Sequence, residues 1–474
     1  MTRAASITKK IALRRVVCSR MMPLVMGTMS RSTRDVGESR APGLAAILDS
    51  PRRSFANRRN PSAMNCRFLL PTLAASLAFS LCAHAQEWTR FRGPNGSGVA
   101  KAPNFPAQFS EADFNWKIEL PGSGHSSPVI WGERVFVTAT PAGTTKRTIV
   151  CLDAKSGRTI WATDYETTAF RQHADNSYTS MSPAVDAERV YFWWGAPDGS
   201  VLVALDQKDG KQVWKRDLGP FVSQHGPGAS PIVAGDQVLL SFDQDQAPSF
   251  LLAVDAKTGA ERWKHEHAGE KSSASTPCIL KNADGKTEAI LISQTVGMTA
   301  VDVATGRVTW EIPGLLSKRC VASPVVTDAG LVIGQCGEGQ AESFVYAVKP
   351  GGGGKPAEKL YEVVRTGGYV PCPTVVGDRL FLWKENGLVT CLRAATNEQV
   401  WSERVEGPFY GSPIALAGRL YNITKRGELV VIGAGDKFEK IARIPLGEGS
   451  FATPAVSGGR MYLRTFTHLI CVGK

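Results

Sequence analysis

The chain has 474 residues and carries 55 Lys and Arg against 43 Asp and Glu, a formal net charge of +12. The positive excess lies near the start, where residues 1–63 hold 13 basic and three acidic side chains; residues 86–474 hold 41 basic and 40 acidic ones. A nearly neutral main body excludes a strongly basic nucleic-acid interface there, and its length is ample for a large apolar core.

The first predicted element is an export signal. An apolar run, Phe68–Cys82, follows Arg67 and precedes an Ala-His-Ala triplet, which is the order of parts in a secretory signal peptide. We expect residues 64–85 to be cleaved after Ala85, and residues 1–63 to be a disordered extension produced by a start codon assigned too early. The run is too short for a membrane span of about 20 residues. The mature chain is therefore predicted to be periplasmic or secreted, with no transmembrane segment.

An N-terminal arm, residues 86–113, follows the predicted cleavage site. Its segment Gly93–Gly98 is rich in glycine but lacks the Lys of a phosphate-binding loop, so we interpret it as flexible. Beyond residue 85 the chain has seven cysteines, an odd number, with no two adjacent. Three of them, Cys151, Cys391 and Cys471, occupy one position of the repeat described next, which favours packing over redox chemistry.

A Ser-Pro, Thr-Pro or Cys-Pro dipeptide opens a short apolar phrase eight times after the arm. The prolines are Pro128, Pro183, Pro231, Pro277, Pro324, Pro373, Pro413 and Pro454. Their separations of 40 to 55 residues indicate one supersecondary unit that is repeated eight times with a period of about 47 residues.

The first unit predicts four short strands joined by hairpins. Apolar strands are expected around Pro128–Ile130, Val135–Val137, Ile149–Leu152 and Thr159–Trp161, with a tight turn after the first of them. Four strands of this length in succession are typical of one antiparallel blade.

A phrase Asp-x-x-x-Gly-x-x-x-Trp joins the third and fourth strands of the first four units. Its residues are Asp153, Gly157, Trp161; Asp206, Gly210, Trp214; Asp255, Gly259, Trp263; and Asp302, Gly306, Trp310. The Asp can accept turn N–H groups, the Gly allows a positive φ, and the Trp can bury area between blades. In the sixth unit Asn397 replaces the Gly before Trp401, and Asn tolerates the left-handed conformation.

The two ends of the repeat array complement each other. The eighth unit stops after its third strand, whereas Phe114–Leu120, which contains Trp116, is a strand without a preceding blade. A closed ring needs the early strand to complete the last blade. We therefore predict an all-β fold over residues 114–474: an eight-bladed β-propeller of four-stranded antiparallel blades, closed by an N-terminal strand.

The Pro-led first strand and the Asp-x-x-x-Gly-x-x-x-Trp phrase resemble the quinoprotein-type, or PQQ-like, propeller repeat, over roughly residues 114–474. That resemblance implies two classes of function. Some members are periplasmic dehydrogenases that hold pyrroloquinoline quinone (PQQ) and calcium in the central funnel, with a vicinal disulfide against the quinone. Others are cofactor-free scaffolds, such as the propeller subunit of the outer-membrane β-barrel assembly machinery. Here no cysteines are adjacent and the long insertions of the dehydrogenases are missing.

Residues that precede the first strand of each blade should surround the mouth of the funnel. Together with the long connection Tyr165–Met181, they provide the candidate binding residues His125, His173, Tyr178, His225, Arg319, Tyr369, Tyr410 and Phe451. Aromatic rings with little charge suit a peptide or a sugar. His265 with His267, and Asp243 with Asp245, are interpreted as a solvated face and a hairpin tip, because neither pair has the spacing of a metal site.

These patterns favour an exported, non-catalytic scaffold that binds envelope proteins or peptides and acts as a monomer in outer-membrane or cell-envelope assembly. No catalytic residue, metal site or cofactor is expected. Two alternatives stay open at this point: a quinoprotein dehydrogenase-like enzyme with a reduced PQQ and calcium site, and a carbohydrate-binding propeller.

Overall fold

The computed structural model describes residues 87–339 and 342–474, so the predicted extension (1–63) and signal peptide (64–85) lie outside the described residues. The described chain forms eight antiparallel four-stranded blades, which confirms the predicted eight-bladed propeller. Its helical elements are two short 3-10 turns, Pro94–Gly96 and Glu111–Asp113. No helix among these residues is long and apolar enough to cross a membrane.

The blades are numbered here in chain order, and each is given from its innermost to its outermost strand. Blades 1 to 4 consist of Val129–Trp131, Arg134–Ala139, Arg147–Asp153 and Thr159–Tyr165; Ala184–Val185, Arg189–Trp194, Ser200–Asp206 and Gln212–Gly219; Ile232–Ala234, Gln237–Phe242, Ser249–Asp255 and Glu261–His267; and Cys278–Lys281, Thr287–Ser293, Gly297–Asp302 and Val308–Ile312. Blades 5 to 8 consist of Val325–Val326, Val332–Glu338, Glu342–Lys349 and Glu358–Val364; Thr374–Val376, Arg379–Trp383, Leu388–Arg393 and Gln399–Arg404; Ile414–Leu416, Arg419–Ile423, Glu428–Gly433 and Lys440–Pro445; and Ala455–Ser457, Arg460–Arg464, His468–Gly473 and Phe114–Glu119.

Burial differs between the middle and outer strands of a blade. The two middle strands are buried along almost their whole length, as in Arg189–Trp194 and Ser200–Asp206, since each blade packs between two others. The outermost strand alternates, as in Thr159–Tyr165, where Trp161 is buried between exposed neighbours. Apolar surface is thus concentrated between the blades, which is where the core lies.

The Asp-x-x-x-Gly-x-x-x-Trp phrase builds a tight turn. In blade 1 the Asp153 carboxylate accepts hydrogen bonds from the backbone N–H groups of Lys155 at 3.1 Å and Ser156 at 2.8 Å. Gly157 follows at φ +72°, and a Cβ added there would lie 2.8 Å from the Trp116 ring of blade 8. The Gly is therefore needed both for its backbone conformation and for the close approach of a Trp.

The Trp of each phrase contacts the next blade. Trp161 lies over Gly210 of blade 2, where an added Cβ would be 2.5 Å from its ring. Its indole N–H donates to the Gln207 carbonyl at 3.0 Å. Trp214 and Trp263 repeat this contact one blade further on, with indole donation to the carbonyls of Ala256 and Val303.

The N-terminal strand Phe114–Glu119 pairs antiparallel with His468–Gly473, the last strand of the chain, with Trp116 opposite Cys471. Blade 8 thereby has four strands drawn from both ends of the described chain. The pairing places Trp116 against blade 1, where its indole N–H donates to the Ala154 carbonyl at 3.2 Å.

The residue before each repeat proline closes a second, inner ring. Its backbone N–H donates to the side chain of the equivalent residue in the next blade, at 2.9 to 3.2 Å, and the eighth bond returns to blade 1. We call these eight residues the hydroxyl ring: Ser127, Ser182, Ser230, Thr276, Ser323, Cys372, Ser412 and Thr453. The need for a short acceptor side chain explains why Ser, Thr or Cys precedes every repeat proline.

The N-terminal arm lies inside the propeller and contacts several blades. Trp88 pairs with Ile130 of blade 1, the Asn95 side chain both donates to and accepts from the backbone of Ile279 in blade 4, and Val99–Ala100 pairs parallel with the inner strand of blade 7. The interpretation of Gly93–Gly98 as flexible was therefore wrong. Its glycines instead permit close approach, because a Cβ on Gly98 would lie 2.5 Å from the Arg92 guanidinium.

Candidate functional site

A cavity of about 590 Å³ opens at the face where the loops enter the innermost strands. Of the eight candidate residues, seven line it: His125, His173, His225, Arg319, Tyr369, Tyr410 and Phe451. We call this cavity the funnel. It is also lined by residues that were not among the candidates from the sequence. They include Phe91 of the arm, Lys271 and Glu385, whose types and spacing gave no signal in the sequence.

Tyr178 is the candidate residue that does not line the funnel. Its hydroxyl donates to the Phe170 carbonyl at 2.8 Å and accepts from the Phe170 N–H at 3.1 Å. The Arg147 guanidinium lies 4.2 Å from its ring centroid. Tyr178 therefore shapes the long loop between blades 1 and 2 from within.

One wall of the funnel is aromatic. Tyr410 and Phe451 stack with centroids 4.8 Å apart, and Phe466 packs edge-on to Phe451 at 5.2 Å. His125 lies against Phe451 at 4.7 Å. Burial first and then the nearby Arg464 charge lower the pKa of His125 to about 4, so its imidazole is neutral at pH 7. We call these four residues the aromatic wall; His125, Tyr410 and Phe451 line the funnel, and Phe466 packs against two of them.

The long loop between blades 1 and 2 reaches across to blade 7. The Asp175 carboxylate accepts a hydrogen bond from the Tyr410 hydroxyl and one from the Lys425 ammonium, both at 2.9 Å. Burial acts to raise the pKa of Asp175, but these two hydrogen bonds outweigh burial, and the net result is a lowered pKa. Asp175, Tyr410 and Lys425, called the latch below, hold the loop over part of the funnel mouth.

The facing wall is polar and internally paired. His173 and His225 lie edge-on with centroids 4.9 Å apart. Arg319 donates to the Ser272 carbonyl at 2.9 Å and forms an ion pair with Asp245 at 3.0 Å. Arg319 is thus positioned as a neutralised donor at the funnel wall.

The funnel carboxylates are already engaged by the protein. Glu385 accepts the backbone N–H groups of Tyr369 at 2.7 Å and Val370 at 2.6 Å, and Glu338 pairs with Lys318 at 3.1 Å. No three His, Cys, Asp or Glu side chains in the described residues gather as metal ligands. The seven cysteines described are unpaired, and all are buried.

This donor set does not fit quinone and calcium. Calcium takes six to eight oxygen ligands in protein sites, several of them carboxylates, whereas the funnel carboxylates come from separate blades and are each held by amides or cations. Nor does a vicinal disulfide exist to contact a quinone face, since no two cysteines are adjacent.

The funnel floor is closed. Five members of the hydroxyl ring line it, together with Phe91. Directly below, the buried Arg90 and Arg92 donate to the carbonyls of Pro277 at 2.6 Å and Pro373 at 2.9 Å. The arm therefore turns a propeller channel into a blind recess.

The remaining motifs lie outside this funnel. The His265 and His267 rings are 6.3 Å apart on an outer strand of blade 3, and neither belongs to a group of three metal ligands in the described chain. Asp245 accepts the N–H groups of Gln224 and Ser272, which accounts for its place at the tip of a hairpin.

The fold and the site together define an eight-bladed propeller with a blind funnel that is aromatic on one side. A family model described as outer membrane protein assembly factor BamB matches residues 112–334 and 341–440. The chain therefore belongs to this family of PQQ-like propellers.

The curated relatives that match part of this chain are named as dehydrogenases. A polyvinylalcohol dehydrogenase of Sphingopyxis sp. (strain 113P3) is 27% identical over 191 residues, 36% of this chain and 26% of that enzyme. A quinoprotein ethanol dehydrogenase of Pseudomonas aeruginosa is 27% identical over 201 residues, 40% of this chain and 29% of that enzyme. The chain thus spans less than a third of the length of the curated relatives it matches.

Solved structures agree on the fold. The quinohemoprotein alcohol dehydrogenase from Comamonas testosteroni superposes with a TM-score of 0.62 at 14% identity, covering 82% of this chain and 81% of that one. BamB from Moraxella catarrhalis superposes with a TM-score of 0.55 at 14% identity, covering 76% and 96%. At such identities the likeness concerns the propeller alone.

Proposed function

We propose that this chain is an exported interaction scaffold of the cell envelope and that its funnel receives a segment of a partner protein. One observation carries the proposal: the funnel is a blind recess with an accessible aromatic wall, and its charged side chains are already paired within the protein. A few buried residues carry most of the binding energy at protein interfaces, and tyrosine is enriched among them. Membership in a family described as an outer membrane protein assembly factor supports the same role.

Export rests on the signal-peptide pattern of residues 64–85. The near-neutral charge of residues 86–474 is consistent with a partner recognised by shape and apolar contact rather than by a strong field.

A quinoprotein dehydrogenase is the second candidate, because the curated relatives named above are dehydrogenases. The scaffold is preferred since the carboxylates that line the funnel within the described chain are held by other protein groups, and since the Phe91 side chain and the hydroxyl ring close the floor.

The test is site-specific photo-crosslinking in intact cells. Gln224 is exposed and lines the funnel, so a photoreactive amino acid placed there reports on an occupant. The matched control carries the same residue at Ile160, on the outer strand of blade 1 and 36% exposed. We expect a discrete protein adduct from position 224 that is absent from position 160.

A second variant ties the adduct to the aromatic wall. Combining the position 224 probe with Tyr410→Ala and Phe451→Ala should lower the adduct yield at least about tenfold, because both rings of the stacked pair are lost. Thermal unfolding checks that this variant is folded. The same adducts from both probe positions, or a yield unaffected by the two substitutions, would rule the proposal out.

A further inference from the structure

The hydroxyl ring has unused donor capacity. Each of its seven hydroxyl oxygens accepts a backbone N–H from a neighbouring blade. Within the described chain none of these hydroxyls donates a hydrogen bond to another protein group. A hydroxyl that already accepts is a stronger donor, because the two bonds polarise each other. Four residues that carry such hydroxyls, Ser127, Ser230, Ser412 and Thr453, line the funnel.

Positive charge lies directly behind this ring. Arg90 donates to the carbonyl of Pro277, and Arg92 donates to those of Pro373 at 2.9 Å and Pro413 at 3.3 Å. Each of these prolines follows a member of the hydroxyl ring in the chain. Burial lowers the pKa of Arg90 to about 10, so the guanidinium keeps its charge at neutral pH.

No carboxylate in the described chain forms an ion pair with either guanidinium, and the Nε atom of each has no hydrogen-bond partner there. A buried charge without a counter-charge is costly in proteins. The funnel carboxylates cannot supply the counter-charge, because Asp175, Glu338 and Glu385 are held by other groups.

We infer that the funnel floor is a receptor for a carboxylate group, bound by the free O–H donors of the hydroxyl ring and stabilised by the two buried arginines below. The inference rests on the proposed function and specifies it: the incoming segment presents a carboxylate to the floor. Charge-assisted hydrogen bonds of this kind are about twice as strong as neutral ones.

The neighbouring wall indicates what accompanies the carboxylate. Tyr410 and Phe451 each lie two residues before a ring member, Ser412 and Thr453, and both line the same cavity. A segment that ends in an aromatic residue with a free carboxyl terminus satisfies the floor and the wall together. A partner's Asp or Glu side chain, or a free organic acid, offers the same carboxylate from another source.

Calorimetry on the full chain separates these sources. The probes are alanyl-alanyl-phenylalanine as the free acid and as its amide, a glutamyl peptide amide and its glutaminyl counterpart, and succinate. We expect each acidic peptide to bind at least about tenfold more tightly than its neutral counterpart. Binding of succinate without either peptide assigns the source to a small acid. Equal affinity of acids and neutral counterparts, or no saturable binding of any acid, overturns the inference.

Matched ring variants identify the donors. Cysteine already stands in the ring at Cys372, and its S–H is a weak donor. The double variant Ser230→Cys, Ser412→Cys changes ring members that line the funnel, whereas Ser182→Cys, Ser323→Cys changes members that do not.

We expect the first double variant to weaken acid binding about tenfold or more and the second to leave it unchanged, with similar thermal stability for both. Equal losses in the two double variants would overturn the inference. If the position 224 adduct persists in cells while neither double variant alters acid binding, the carboxylate receptor fails and the scaffold proposal stands.

Discussion

His125 packs between Phe451 and Phe466 in the aromatic wall, with Arg464, Asp175 and Lys425 as its charged neighbours. Its pKa of about 4 in the folded chain lies below the value of about 6.5 in an unfolded chain. The unfolded state therefore takes up a proton first as the pH falls.

We predict that His125 makes the free energy of unfolding fall by about 3 kcal/mol between pH 6.5 and pH 4. The stabilisation is complete above pH 6.5 and is lost as the pH drops through the folded-state pKa. The phenylalanine ring of His125→Phe fits the same aromatic surroundings but does not titrate. In this variant the free energy of unfolding should therefore lose the part of its pH dependence that His125 causes. Urea unfolding at several pH values measures the free energy of unfolding of both proteins. The same change with pH in the two proteins would contradict the lowered pKa of His125.

The glycine of the repeat phrase allows a second prediction at this scale. Gly210 and Gly235 both have positive φ, at +72° and +64°, but only at Gly210 would a Cβ meet another group, the Trp161 ring at 2.5 Å. Gly235→Ala should cost about 1 kcal/mol for the backbone alone, and Gly210→Ala about 3 kcal/mol or more because the Trp must move. Equal denaturation midpoints for the two variants would show that the Trp contact is not a constraint.

Among the elements, the loop Tyr165–Met181 owes its position to the latch. Its near end is fixed by Thr168, whose hydroxyl donates to Asp198 at 2.5 Å, and its far end by Asp175. The lowered pKa of Asp175 means that its contribution is present above the unfolded value of about 4 and is lost as the pH falls through the lower folded value. The latch is therefore expected to stay closed at every pH near neutrality.

We predict that Asp175→Asn releases the far end of this loop. The ion pair with Lys425 is removed, so amide hydrogen exchange in residues 170–178 should accelerate about tenfold, while blade strands stay protected. Asp198→Asn is the matched control, since it affects the near end and leaves Tyr410 and Lys425 in place. Unchanged hydrogen exchange in the Asp175→Asn variant would show that the latch does not hold this loop in place.

At the scale of the whole molecule, the hydroxyl ring links all eight blades. Its one sulfur acceptor should form a weaker hydrogen bond than the hydroxyl oxygens do. The Ser323 N–H donates to Cys372 Sγ at 3.2 Å. Cys372→Ser should raise the free energy of unfolding by about 0.5 kcal/mol, because oxygen is the better acceptor. Cys391→Ser, at a buried strand position, should lower it by about 1 to 3 kcal/mol. A loss of stability in both variants would contradict the role given to the ring.

The blade count could be predicted from the sequence because the Pro-led opening recurs in all eight units, and the turn phrase of the first four units agrees with the strand pattern around it. The convergence of His125, Tyr369, Tyr410 and Phe451 followed from the propeller geometry, since loops at equivalent repeat positions meet at the funnel mouth. The residues of the hydroxyl ring are visible in the sequence as the Ser, Thr or Cys before each repeat proline. Their role as hydrogen-bond acceptors between neighbouring blades is visible only in the folded structure.

Other parts of the site could not be predicted from the sequence. The latch joins residues 235 and 250 positions apart, and the arm was taken as flexible because glycine permits both mobility and close packing. Contacts in the folded chain distinguish the two, such as those of Arg92 with Pro373 and Pro413 and of Asn95 with Ile279. Long-range contacts of single polar side chains leave no periodic trace in a sequence.

We propose that the funnel receives a partner segment and does not hold a quinone. Calorimetric titration of the full chain with pyrroloquinoline quinone, with and without calcium, tests it most directly. The engaged carboxylates of Glu338 and Glu385 predict that calcium brings no gain in affinity and that no tight one-to-one complex forms. Tight, calcium-dependent binding of one quinone per chain would contradict the account.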